Sequence, residues 1–302
     1  MKSPDVNDWT QALPGLGERA RQRVVDRSIG DFIRELRSLD EEQVQGILAY
    51  QRQHKVRFGE AAVALKYATQ NDVLWALSQQ FHYPYAPEEG RAGLDAELVA
   101  AIDPFSDQAE VLRDVRSQLV MGVLSSDAPR RALAIVSPDI GDGKTFFVAN
   151  LGVTFSQLEG RTLIVDADMR TPRLHQLFGV EGPGGLSGIL AGRTDAGVIR
   201  QVPALPNLYV LPVGTVPPNP LELVQRPAFA LLMRELCGKF DHVLVDTPAA
   251  CHGADARVIA AHCGAALTLG RRGRSRLAAI RTLLAQMAKA QVQSAGVMIN
   301  EQ

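Results

Sequence analysis

Cysteine is scarce in this chain: Cys237, Cys251 and Cys263 are the only three in 302 residues. Their odd number and the absence of Cys-x-x-Cys spacing argue against a disulfide framework or a zinc site, so all three read as small buried hydrophobes. No apolar run approaches the roughly 18 residues of a membrane-spanning helix. The first residues, Met1-Lys-Ser-Pro-Asp-Val-Asn-Asp, lack the apolar core of a signal peptide, so a cytoplasmic protein is expected. Charge of one sign is also missing: 32 Lys and Arg face 33 Asp and Glu, a net charge of -1. That balance speaks against non-specific nucleic-acid binding. Tyrosine occurs five times, as Tyr50, Tyr67, Tyr83, Tyr85 and Tyr209, and never after Tyr209. What remains is 46% hydrophobic, enough for a large core over two domains.

The most specific signal is Ala132-Leu-Ala-Ile-Val-Ser-Pro-Asp-Ile-Gly-Asp-Gly-Lys144-Thr145, a short apolar strand running into a glycine-punctuated loop. An amphipathic helix is expected from about Lys144 to Leu158. Gly141 and Gly143 let successive backbone N–H groups turn toward one point, so the backbone from Gly141 and Asp142 through Phe146 forms a phosphate cradle at a helix N-terminus. Lys144 is then placed to reach the outer phosphates of ATP, and the Thr145 hydroxyl to ligate Mg²⁺. Pro138 stands where a strict Walker A pattern has its first glycine.

Two further strand ends carry carboxylates. Leu163-Ile-Val-Asp166-Ala-Asp168-Met-Arg170 reads as a buried strand with acids at i and i+2, on one side of the chain as it leaves the sheet. Phe240-Asp-His-Val-Leu-Val-Asp246-Thr-Pro248 ends in a third acid, the arrangement that holds Mg²⁺ beside a phosphate loop. Parallel α/β sheets gather ligands beyond the carboxyl ends of their strands, which brings all three segments to one place. His175, His252 and His262 have no evident partner and read as structural.

In the order Ser137 to Thr145, Val165-Asp-Ala-Asp-Met-Arg-Thr-Pro-Arg-Leu-His175-Gln-Leu-Phe178, then Val245-Asp-Thr-Pro, the chain resembles the cytoplasmic domain of bacterial tyrosine kinases. The likeness is greatest to the exopolysaccharide chain-length-determinant kinases. Pro217-Pro-Asn-Pro-Leu-Glu222-Leu, Glu110-Val-Leu-Arg113-Asp-Val-Arg116 and Gly296-Val-Met-Ile-Asn300 extend it. The resemblance implies an α/β P-loop NTPase domain, with a mostly parallel sheet flanked by helices as in the partitioning ATPases. It implies catalysis by Lys144, Asp166, Asp168 and Asp246, with Thr145, Asp168 and Asp246 around Mg²⁺. Asp166 is the residue expected to orient or deprotonate the acceptor hydroxyl, and Asn300 to meet the base. Glu110, Arg113 and Arg116 are expected at a subunit contact of a homo-oligomer. A membrane polysaccharide co-polymerase is the implied activator, recruiting the protein to the inner face of the membrane. Relatives end in a tyrosine cluster, whereas this chain stops at Asn300-Glu-Gln302. The expectation is therefore an acceptor tyrosine on another protein, or catalysis reduced to ATP hydrolysis that switches an assembly.

The N-terminal third is a different object. Ile29-Gly30-Asp-Phe-Ile33 through Gln51 aligns with Phe58-Gly59-Glu-Ala-Ala62 through Gln80 at an offset of 29 residues. Each copy reads as a short helix, a turn and a longer amphipathic helix, with Asp40 and Thr69 at N-cap positions. This repeat resembles the N-terminal domain of type II secretion ATPases, some of which bind cyclic di-GMP, and implies that ligand as a possible partner. The second copy keeps Arg57-Phe-Gly59, the first has Ser28-Ile-Gly30 with Arg27 one place early, and Arg37 and Lys66 replace the glycine of the middle turn. A structural or partner-docking module is the alternative. The expected layout is a flexible segment 1–25, a helical repeat module 26–86, a linker 87–102 and a kinase-like domain 103–302. The aromatic run Phe81-His-Tyr83-Pro-Tyr85 is expected to pack on the helical module, while the basic cluster Arg271, Arg272, Arg274 and Arg276 fits a wet surface, acidic neighbours or a nucleotide contact.

Overall fold

The computed structural model describes residues 27–301 apart from 81–82, 84, 86–90, 92, 126, 128 and 194–196. The expected flexible segment 1–25 lies outside the described residues. The chain divides into two units, Met1–His82 and Tyr83–Gln302.

The first unit holds α1 (Ile29–Leu36), α2 (Glu41–His54), α3 (Phe58–Ala64) and α4 (Gln70–Gln80), the short-long-short-long order that the repeat predicts. Ser28 and Asp40 start α1 and α2 through capping boxes, each side chain accepting from the N–H three residues on. Ile33, Leu39, Ile47, Ala61, Ala62, Ala68 and Ala76 form the core. Phe32 and Trp75 meet edge to face at its margin. Arg37 in the middle turn of the first copy donates from Nε and Nη2 to both oxygens of Asp72, at 2.8 and 2.8 Å.

The second unit begins with α5 (Val99–Ile102) and α6 (Asp107–Met121), then β1 (Ala132–Val136), α7 (Lys144–Ser156) and β2 (Thr162–Asp166). Two short helices follow, α8 (Leu174–Leu177) and α9 (Leu186–Leu190), then β3 (Arg200–Val202) and β4 (Leu205–Leu211). After α10 (Pro220–Val224) and α11 (Pro227–Lys239) come β5 (His242–Asp246), α12 (Asp255–Cys263), β6 (Gly264–Arg271), α13 (Leu277–Lys289) and β7 (Gln293–Asn300). The sheet order is β3-β4-β2-β5-β1-β6-β7. Every neighbouring pair is parallel except the edge pair β3 and β4.

The central strands are apolar runs because helices cover both faces. Alternate side chains leave β1 in opposite directions: Leu133 and Ile135 join one core with α5 to α8, whereas Ala132, Ala134 and Val136 join another with α11, α12 and α13. The helix α7, expected to be amphipathic, is buried on nearly every side. It is enclosed by α5, α6, α8 and four strands, so its polar side chains find protein partners: Asn150 donates to the Glu97 carbonyl, while Thr154 and Ser156 donate back to the Leu151 and Val153 carbonyls of the same helix.

Three expectations are corrected here. The segment 87–102 is not a linker throughout: from Leu94 onward it docks on the sheet unit, with Leu98, Ala100 and Ala101 buried. The Asn150 amide side chain fixes it, accepting from the Ala100 N–H at 3.0 Å and donating to the Glu97 carbonyl at 2.8 Å. Tyr85 stacks edge to face on Phe105 and lies under the Arg113 guanidinium, so it packs on the sheet unit. Cys263 is buried, but Cys237 is only half-buried and Cys251 is exposed. Among the described residues no helix is long and apolar enough to cross a membrane.

Candidate active site

Because β1, β5 and β2 are parallel neighbours, their carboxyl ends open side by side on one rim of the sheet. The loop after β1 carries the glycine turn into α7. Gly143 caps that helix at φ +95°, and a Cβ there would stand 2.4 Å from Asn300 Nδ2 at the end of β7. The left-handed backbone calls for glycine. Lys144 is buried on the first turn and donates from Nζ to Ser137 Oγ at 3.0 Å, spanning the loop it follows. The Thr145 hydroxyl donates to Asp246 Oδ2 at 2.6 Å, tying the phosphate loop to the end of β5.

The acids expected from sequence meet here. Asp166 and Asp246 are register partners in the β2–β5 pairing. Asp246 is fully buried, and its second oxygen accepts from the Thr247 N–H at 3.0 Å. Asp166 Oδ2 accepts weakly from the N–H groups of Arg173 and Leu174, at 3.3 and 3.2 Å, while Oδ1 is buried without a partner. Asp168 closes its own turn, accepting from the N–H groups of Arg170 and Thr171 and from the Thr171 hydroxyl.

Crowding acids out of water has the expected electrostatic result. Burial first, then the charge of Asp246, raises the Asp166 carboxyl well above the usual carboxylate range. Burial pushes Asp246 up to about 7, against the opposing pull of the Thr145 hydroxyl and the Lys144 ammonium. A cation at this rim would relieve both. Among the described residues no three acids, histidines or cysteines stand at metal-ligand spacing. Mg²⁺ takes one or two protein oxygens and completes its shell with substrate phosphates and water. Thr145 and Asp246 are the two oxygen donors already in contact.

The remaining cradle residues are placed as follows. Asp142 turns its side chain inward, accepting from the Asp139 N–H at 3.0 Å and from the Ser275 hydroxyl at 2.8 Å. Its carbonyl accepts from Asn300 Nδ2 at 3.3 Å. Gly141 is exposed on the loop, and Phe146 is half-buried in the first turn of α7 with its carbonyl bonded to Asn150. Glu110, Arg113 and Arg116 lie elsewhere, on α6. Arg113 pairs with Glu110 and also donates to the Pro104 carbonyl, and Arg116 donates to the Thr154 carbonyl at 2.7 Å. Glu110 is thus the most exposed of the three.

One feature of the rim was left undecided by the sequence. Arg271 and Arg274, in the turn after β6, lie on the phosphate loop: Arg271 Nη1 donates to the Gly141 carbonyl at 3.1 Å, and the Arg274 guanidinium stands against Gly141. The run of arginines at a strand end was visible, but not that β6 pairs with β1 and so delivers them to this loop.

No protein-family model matches the chain. It is 34% identical over 205 residues to the tyrosine-protein kinase Wzc of Salmonella typhimurium, a match covering 68% of this chain and 28% of that protein. The chain thus corresponds to little more than a quarter of Wzc. The tyrosine-protein kinase YwqD of Bacillus subtilis is 32% identical over 166 residues, 55% of this chain and 69% of YwqD. Among solved structures, the kinase domain of the Escherichia coli tyrosine kinase Etk matches with a TM-score of 0.65 at 28% identity, over 70% of this chain and 81% of that domain. With the motifs in one rim, this degree of kinship shows that the chain belongs to the bacterial tyrosine kinase family.

Proposed function

We propose that this rim binds ATP with Mg²⁺ and transfers the terminal phosphoryl group to a tyrosine hydroxyl of a protein. The observation that carries the reading is the Thr145–Asp246 hydrogen bond of 2.6 Å, beside an Asp166 with one buried oxygen left without a partner. Phosphoryl transfer passes through a loose transition state, so positioning and charge neutralisation are what the protein must supply.

The chain's own residues divide that work. Backbone N–H groups from Gly141 to Phe146 hold phosphate oxygens at the start of α7. Lys144 exchanges Ser137 for the outer phosphates, while Thr145 and Asp246, with the charge of Asp168 nearby, hold Mg²⁺. Bound there, the cation would neutralise charge on the phosphates. Asp166 faces the acceptor hydroxyl and takes its proton. Asn300, bonded to the loop at Asp142, meets the base.

The cellular task proposed is control of exopolysaccharide chain length, with a membrane co-polymerase as activator and the protein working as a homo-oligomer at the inner membrane face. In the N-terminal unit, Arg57 is exposed at the start of α3 and is the residue there that a cyclic dinucleotide would meet. The test is incubation with γ-labelled ATP and a tyrosine-containing copolymer of glutamate and tyrosine, followed by phosphoamino-acid analysis. Labelled phosphotyrosine that disappears in Asp166→Ala is the expected result. Free phosphate alone would instead assign the protein to the ATP-hydrolysing switches.

A further inference from the structure

We infer that Arg274 is a second cation on the phosphates of the bound nucleotide, and that Arg271 and Ser275 are positioning residues which hold its turn on the phosphate loop. The inference rests on the reading of that loop as an ATP site.

The turn is fastened at several points. Arg271 donates to the Gly141 carbonyl at 3.1 Å, and Ser275 donates to Asp142 Oδ1 at 2.8 Å. Within the turn, the Arg271 N–H donates to Ser275 Oγ at 2.7 Å, while the Arg272 N–H reaches the Asn300 carbonyl at 2.8 Å. The turn is therefore part of the wall of the cradle. Between its fastenings, Arg274 lies so close to Gly141 that a Cβ there would stand 2.9 Å from Nη1 and 3.5 Å from Cζ.

Arg272 pairs with Glu301, and the Asp142 carboxylate is buried and engaged by Asp139 and Ser275. Among the described residues no carboxylate pairs with Arg274, and the segment Arg271-Arg-Gly-Arg-Ser-Arg276 contains no acid of its own. The Arg274 guanidinium therefore lies along the glycine loop read above as the phosphate cradle, with no carboxylate among the described residues to hold it there. A guanidinium presents a planar fork of donors that matches phosphate oxygens, so the anion that fits this position is the nucleotide's phosphate chain.

The experiment compares Mg²⁺-ATP, Mg²⁺-ADP and adenosine binding to the intact 302-residue chain and to Arg274→Ala and Arg274→Lys, by calorimetric titration with thermal melts alongside. For Arg274→Ala the expected result is about tenfold weaker binding of ATP and ADP, the scale of one lost charge-assisted hydrogen bond. Adenosine affinity and melting temperature should stay unchanged, and the lysine variant should fall between. Equal ATP affinity in the wild type and Arg274→Ala would overturn the inference while leaving the ATP site standing. An equal loss for adenosine would also overturn it, by reducing Arg274 to a structural residue. A wild type that binds no ATP would remove both readings together.

Discussion

Asp246 has no exposed surface, and its carboxyl titrates near neutrality because burial opposes the anion while the Thr145 hydroxyl and Lys144 favour it. In the unfolded chain the same group releases its proton near the ordinary 3.8, whereas the folded protein holds it up to about 7. Between those values the folded state binds more protons than the unfolded one, so this residue's contribution to stability falls as pH rises across the window. Asp246→Asn abolishes the titration. In the metal-free state the variant should therefore gain on the wild type as the buffer moves from pH 5 to pH 8, and Mg²⁺-ATP should raise the melting temperature of the wild type alone. Thermal melts across that range check this, and parallel curves for the two proteins would refute it. That Lys144 and Thr145 at the start of α7 would lie beside Asp166, Asp168 and Asp246 was legible in sequence, because a parallel sheet gathers the loops after its strands on one rim. Asp142 was expected in the cradle for its backbone, but the inward turn of its side chain was not legible: its partner Ser275 sits 133 residues away and arrives only through the β6–β1 pairing.

At the scale of elements, α6 and α7 show how one charged face can serve two ends. The spacing of Glu110, Arg113 and Arg116 put three charges on one side of a helix, where a subunit contact was expected. In the structure Arg116 is half-buried and donates to Thr154, within the last turn of α7, where carbonyls lack intrahelical partners. It thus neutralises the negative end of the helix that opens with Lys144. Replacing Arg116 by Ala should cost about 1 to 3 kcal/mol, since a charged bond to a partly buried carbonyl is lost. Glu110 is largely exposed, so Glu110→Ala should change stability by less than about 0.5 kcal/mol. Urea melts test both values. Sedimentation of Glu110→Ala separates roles: a shift to smaller species at unchanged stability assigns that face to subunit contact, whereas unchanged mass leaves α6 a purely internal brace. The α7 helix was read from its glycine loop correctly in position but wrongly in exposure, because local periodicity does not reveal that α5 and α6 cover its outer side.

For the whole molecule, the informative point is where the N-terminal repeat breaks its own pattern. The middle turn of the first copy carries Arg37 in place of glycine, and that side chain bridges to Asp72 at the start of the long helix in the second copy. Asp72 also accepts from the Thr69 N–H and hydroxyl, at 2.6 and 2.8 Å, so one carboxylate both caps α4 and joins the copies. Its counterpart 29 residues earlier is Gln43, which closes a capping box and carries no charge. The departure visible in sequence as a lost glycine is, in the fold, the tie between two halves that share one small core. Helix order and caps were legible from the repeat, but the tie was not, since an offset alignment compares copies and says nothing of contacts between them. Arg37→Ala leaves the Asp72 carboxylate buried against apolar neighbours with one charge partner gone, a cost of about 1 to 3 kcal/mol in a unit too small to absorb it easily. Hydrogen exchange on the intact chain should show protection falling across α1 to α4 and holding in α7, while affinity for Mg²⁺-ATP is unchanged. Equal loss in α7 would mean that the two units unfold as one, and undiminished protection in α1 to α4 would mean that the Arg37–Asp72 pair does not hold the copies together.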